Sequence, residues 1–324
     1  MASTCRSPAR SNRKKRGLLG QTNCPYRRRD PSLSLLASPL SAPAEFHRDA
    51  AAARRYPSQN SRSITSATRF TPRQTIAVPL PSPIFDRLPW LPYVLPLAVF
   101  LGLTPLEPSA AGEETSWLPL AAEHYPLVYT AKIVAVVVAL ILCWPAYRQF
   151  PFAITPLGLL VGLVGGAIWI ALCRADFEQQ IFPAVGLGSL LENGARAAYN
   201  PLDALADNPA WMYAFLAIRF AGLALVVPVI EEFFLRGFLM RFVTATDWVK
   251  VPFGTASGAA ILVGTAFPLL SHPLSEAFAV VVWFSLVTWL MLRTRSIWDC
   301  VAAHAVTNLT LGIYVVATGD WQLW

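Results

Sequence analysis

From residue 88 onward, polar positions thin out and the apolar ones gather in long blocks. Crossing about 30 Å of hydrocarbon takes about 20 predominantly apolar residues in a helix. Blocks of that kind run at about 88–106, 127–145, 154–173, 211–241, 253–271, 275–292 and 297–317. They predict an all-α fold, a polytopic membrane helical bundle of about seven (six to eight) transmembrane helices. Between the third and fourth blocks, residues 174–210 mix Asp176, Glu178, Glu192, Asp203 and Asp207 with apolar positions. That stretch predicts a surface or interfacial helix, then an extramembrane loop closed by Asn208 and Pro209.

Composition agrees with the blocks: 55% of residues are hydrophobic, 14% are charged and mean hydropathy is +0.46. Eleven tryptophans suit a protein with two membrane interfaces. The net charge of +7 is unevenly placed: residues 1–75 hold fifteen Lys/Arg and three Asp/Glu, leaving eleven against sixteen for residues 76–324. The basic character belongs to the tail, so a nucleic-acid partner for the body is not indicated. Rich in Ser, Pro, Ala and Arg, with no sustained apolar period, the tail reads as disordered. It has the composition of an organellar transit peptide, and a start assigned too far upstream would give the same basic leader. Three regions follow: the tail 1–75, N-terminal transmembrane helices with an acidic loop over 76–210, and a membrane domain carrying the chemistry over 211–324.

Lys and Arg are retained on the cytoplasmic side of a membrane, whereas acids count for little. Arg87, Arg148, Arg241, Lys250, Arg293 and Arg295 fall on one side of the predicted spans. The 107–126 loop, with Glu107, Glu113, Glu114 and Glu123 and no Lys or Arg, falls on the other. Arg174 and Arg196 are exceptions. The pattern predicts an integral, multi-pass protein with its N-terminus in the cytoplasm, in a bacterial inner membrane, or in an organellar membrane if the tail is a transit peptide. Cys5 and Cys24 lie in the tail and Cys143, Cys173 and Cys300 in or beside apolar spans; with no CxxC pair, they read as small packing residues.

Ionisable residues at membrane depth are the candidate chemistry. In VVPVIEEFFLRGFLMR, residues 226–241, Glu232 and Arg236 are spaced for an i,i+4 ion pair with the acid first. Glu231 is rotated about 100° from Glu232, because a turn takes 3.6 residues. In IWDCVAAHAVTN, His304 and Asn308 share a helical face. His272, in FPLLSHP, supplies another imidazole, while His47 and His124 fall in the tail and a loop. These residues fit either an ion-pair and hydrogen-bond cluster joining helices, or one assembled polar site. As a site they suit peptide hydrolysis without a covalent intermediate: a carboxylate and an imidazole polarise water, and an imidazole and an amide donate to the developing oxyanion. GxSxG and HExxH are absent from the sequence, and SxxK is absent from residues 76–324.

These residues resemble the type II CAAX prenyl endopeptidases and their bacterial relatives, the CPBP family of CAAX proteases and bacteriocin-processing enzymes. That family carries EExxxR, FxxxH and HxxxN or HxxxD on successive membrane helices. Glu231, Glu232 and Arg236 match the first motif and His304 with Asn308 the third. In the second, Pro268 stands four residues before His272 and the phenylalanine, Phe267, is one position early. The resemblance implies a membrane-embedded endopeptidase acting on a membrane-anchored protein or peptide, without a cofactor. Glu231 and His272 would activate water, His304 and Asn308 would form the oxyanion hole, and Arg236 would hold Glu232. The stretches WLPYVLPLAVFLGLTPLE and VVPVIEEFF are also similar to the subset accompanying exosortase and PEP-CTERM sorting systems. Simple spans leave His272 near the outer end of segment five, away from Glu231; a short or tilted segment with a buried bend would close that gap. Two alternatives remain at this level: a metalloprotease with Glu231, His272 and His304 as metal ligands, or a non-enzymatic transporter or scaffold.

Overall fold

A computed structural model of the chain describes residues 83–108, 120–192 and 198–323. The basic tail with Cys5, Cys24 and His47, the loop acids Glu113 and Glu114, and Arg196 lie outside the described residues. The described chain is helical, with no strand. We label its main helices α1 (Leu91–Leu103), α2 (Tyr125–Tyr147), α3 (Pro156–Ala175), α4 (Phe177–Ala184), α5 (Pro209–Thr244), α6 (Gly258–Ala266), α7 (Ala277–Thr294) and α8 (Ile297–Thr318). The helices α2, α3, α5, α7 and α8 are long and apolar enough to cross a membrane. The other two expected spans are shorter: α1 runs on through a 3₁₀ turn only to Leu106, and α6 likewise only to Leu270.

Local sequence explains several helix starts. Thr155, Ser257, Ser296 and Asn208 each accept a backbone N–H of the first turn with a side-chain oxygen. Pro156 and Pro209 stand at first helical positions, where a missing N–H costs nothing. Outward-facing apolar residues such as Val134, Ile141, Leu160 and Leu262 are exposed, as lipid-facing positions are.

Side-chain bonds tie the helix ends together. At one end Tyr147 Oη donates to the Pro92 carbonyl at 2.8 Å, Ser296 Oγ to Ala153 O at 2.7 Å, and Arg241 Nε to Val251 O at 2.9 Å. Exposed Arg148, Lys250 and Arg295 lie beside these contacts. At the far ends of α3 and α8, Arg174 meets Asp320 at 2.8 Å, so this exception to the charge pattern has an acid at hand.

The tightest helix pair is α3 with α8. Gly158, Gly162, Gly165 and Gly166 line α3 where it meets α8 and α7, letting the backbones approach as small residues do in membranes. A Cβ on Gly162 would stand 2.6 Å from the Ala303 carbonyl and 2.7 Å from Val306 Cβ. Across the same seam, Thr307 Oγ1 donates to Gly162 O at 2.8 Å. Asp299, fully buried, accepts the Thr155 N–H at 2.6 Å and so holds the start of α3 to the start of α8. Residues on either side of position 210 therefore share one interior.

Gly162→Ala should cost about 1–3 kcal/mol by overpacking, read as a lowered unfolding midpoint in detergent. Gly102→Ala, where an added Cβ meets nothing within 4 Å, should leave the midpoint unchanged or raise it.

Candidate active site

Two π-helical segments interrupt α5, at Gly222–Val226 and Phe233–Leu239, and leave the glutamate pair on the α-helical stretch Val227–Glu232 between them. Pro228 accounts for the consequence of the first. In that segment the Val227 N–H bonds to the Gly222 carbonyl, five residues back. By the same step the Leu223 carbonyl would need the nitrogen of Pro228, which carries no hydrogen. Asn308 supplies the missing donor from α8, its Nδ2 bonding to Leu223 O at 2.8 Å. A partly buried carbonyl is thereby satisfied, and the amide of Asn308 is held in one orientation. Its Nδ2 bears a second N–H.

Glu232 and Arg236, both fully buried, form the predicted ion pair. Arg236 also donates to Phe284 O at 3.2 Å and to Thr288 Oγ1 at 3.4 Å, which ties α5 to α7. The second carboxylate oxygen of Glu232 lies 3.1 Å from His304 Nδ1. A carboxylate beside a guanidinium accepts and does not donate, so the proton in this bond belongs to Nδ1. His304 Nε2 then lies 3.9 Å from Glu231 Oε2. With Nδ1 fixed as a donor, Nε2 is a lone pair in the neutral ring and a donor in the imidazolium. Glu232 thus has two partners, where sequence spacing pointed to Arg236 alone.

The Pro268 substitution in the second motif has a structural reading. Phe267–Leu270 is a 3₁₀ turn that ends α6 early, and Phe267 packs its ring on Phe234 with centroids 5.4 Å apart. The Pro268 carbonyl turns toward the imidazole and accepts from His272 Nδ1 at 2.9 Å. A carbonyl only accepts, so the neutral ring keeps its lone pair on Nε2. Because α6 stops at this bend, His272 does not sit apart from Glu231. Glu231, His272, His304 and Asn308 all line a single cavity of about 190 Å³, walled by Phe100, Trp169, Trp283 and Phe284 among others.

Residues 213–310 match the family model for type II CAAX prenyl endopeptidase, Rce1-like. The Rce1-like stretch is 98 of 324 residues, counted from 213 to 310 inclusive, and it contains the six motif residues that the chain matches. It implies membrane CAAX endopeptidase activity. The model is that of the broad family and does not single out the exosortase-associated subset. No curated protein and no solved structure matches the chain.

Among the described residues, no group of three or more His, Cys, Asp or Glu side chains is gathered as a metal site. Glu231, His272 and His304, the ligands of the metalloprotease alternative, line one cavity and are not part of such a group. Sequence reasoning missed Trp283, Thr307 and Asp299. Thr307 carried a signal, since it lies three residues after His304 and so near the same helical face, as did the GxxxG spacing of Gly158 and Gly162. Trp283 carried none, because an indole in an apolar helix reads as packing.

Arg236→Met should strip Glu232 of its buried cation and cost about 3–5 kcal/mol, measured by unfolding in detergent. Adding Glu232→Gln to that variant should recover part of the loss; a double variant less stable than Arg236→Met would contradict the pairing.

Proposed function

We propose that this chain is a membrane-embedded endopeptidase that hydrolyses a peptide bond of a membrane-associated protein by direct attack of water. What supports the reading is the sharing of one small cavity by Glu231, His272, His304 and Asn308. The carboxylate of Glu231 takes a proton from water, with His272 Nε2 accepting a hydrogen bond from the same molecule. The hydroxide equivalent adds to the scissile carbonyl, and the electron pair of the C=O bond moves to oxygen. That oxyanion is met by His304 Nε2–H, with the ring as imidazolium, and by the second N–H of Asn308. Collapse of the adduct breaks the C–N bond as Glu231 passes its proton to the departing amine. One water is consumed, and a carboxylic acid and an amine are released.

Two features favour this chemistry. Glu232 fixes the His304 ring by Nδ1, so Nε2 is the nitrogen left to the cavity. The Leu223 carbonyl fixes Asn308 in the same way. Donors held before charge develops need no rearrangement in the transition state, which is where such sites gain most of their rate. In this reading residues 211–324 carry the reacting groups, residues 76–210 supply the opposing walls through Phe100 and Trp169, and the basic helix ends face the cytoplasm. The Rce1-like stretch makes a CAAX-type C-terminal segment the first substrate to try.

Cells carrying wild type or Glu231→Ala should differ in their membrane-protein C-termini, with at least one protein accumulating uncleaved in the variant. Mass spectra of C-terminal peptides read this directly, and identical profiles with both proteins inserted would count against the assignment. Asn308→Ala should lower the cleavage rate about 10²–10³-fold, as loss of one oxyanion donor does.

A further inference from the structure

Trp283 and Thr307 form a brace behind His304 that neither the motifs nor the proposed chemistry uses. The Trp283 ring lies against the imidazole, with centroids 4.6 Å apart and planes inclined at 61°. Its Nε1–H donates to Thr307 Oγ1 at 2.9 Å, and Thr307 in turn donates to the Gly162 carbonyl at 2.8 Å. Each polar atom in this string has its partner, and Trp283 and Thr307 are both 2% exposed. The string runs from α7 through α8 to α3. Room for it comes from Gly165, where a Cβ would stand 2.9 Å from Trp283 Nε1 and 3.3 Å from Thr307 Oγ1.

We propose that Trp283 and Thr307 are positioning residues that set the plane of the His304 ring, and with it the direction of Nε2. Glu232 bonds the ring at one atom, Nδ1, which leaves rotation about that bond open. A flat indole, clamped by its own N–H, closes that freedom. It also places an aromatic ring within cation–π reach of the His304 imidazolium that meets the oxyanion. The side-chain hydroxyl of Thr307 matters because it accepts from the indole and donates to a backbone carbonyl at once. Serine can do both, and valine, of the same shape as threonine, can do neither.

This inference rests on His304 being the oxyanion donor proposed above, and the test separates the two. Purified wild type, Glu231→Gln, Thr307→Val, Thr307→Ser, Trp283→Phe and the Trp283→Phe/Thr307→Val double variant would be assayed on a CAAX-type peptide in proteoliposomes. Misdirecting a catalytic group by about 1 Å can cost about 10²-fold. Thr307→Val and Trp283→Phe should therefore each lower kcat by about 10- to 100-fold with KM unchanged, while Thr307→Ser stays near wild type. Both single changes delete the bond between indole and hydroxyl, and Thr307→Val deletes the bond to Gly162 as well, so the double variant should be no slower than the slower single one. Wild-type kcat in both single variants, a multiplied loss in the double variant, or a loss confined to KM would overturn the brace while leaving the hydrolytic reading intact. A fully active Glu231→Gln would overturn both.

Discussion

A guanidinium and a carboxylate buried together in an apolar bundle set the terms for the rest of this molecule. Neither Arg236 nor Glu232 has any exposure, and neither ion is tolerable there alone. Their pairing leaves each with unused capacity, and neighbours take up part of it. Arg236 reaches the Phe284 carbonyl and Thr288 on α7, and Glu232 reaches His304 on α8. Three membrane helices are thus tied through one ion pair. The outcome is an imidazole whose Nδ1 is committed and whose Nε2 is not, beside a second glutamate in a cavity.

The backbone irregularities serve the same centre. Pro228 leaves the Leu223 carbonyl without an internal partner, and Asn308 answers it from α8. Pro268 and the 3₁₀ turn stop α6 short, so His272 enters the cavity and its Nδ1 is held by the Pro268 carbonyl. In each case a backbone carbonyl released from regular helix holds a side chain of the site in place. Breaks of this kind survive in a membrane where protein or a cavity surrounds them. On the remaining side, glycines of α3 bring that helix against α8 closely enough for Thr307 to bond its backbone.

Much of the fold was legible because the bilayer demands long apolar runs, and seven runs became seven apolar helices. Two of them are shorter than expected, since apolar composition reports burial and does not report where a helix stops. The ion pair of Glu232 with Arg236 followed from spacing on a helix, and so did the different direction of Glu231. The second partner of Glu232 could not be read this way, because it depends on how α5 and α8 cross. His272 was the hardest: its motif is altered at Pro268, and an uninterrupted helix would have carried it away from Glu231. The turn that repairs this was written in Pro268 and Pro273, though its depth was not. Trp283 and Asp299 stayed hidden, one as an ordinary apolar residue and the other as an acid in a first helical turn.

In the proposed chemistry Glu231 is the base and Glu232 acts through His304. Single-turnover cleavage by purified Glu231→Gln and Glu232→Gln, with peptide binding measured alongside, tests it most directly. Glu231→Gln should bind peptide as wild type does and not cleave it, while Glu232→Gln should cleave slowly because its amide still reaches His304. Cleavage by Glu231→Gln near the wild-type rate, or a dead Glu232→Gln beside an active Glu231→Gln, would contradict it.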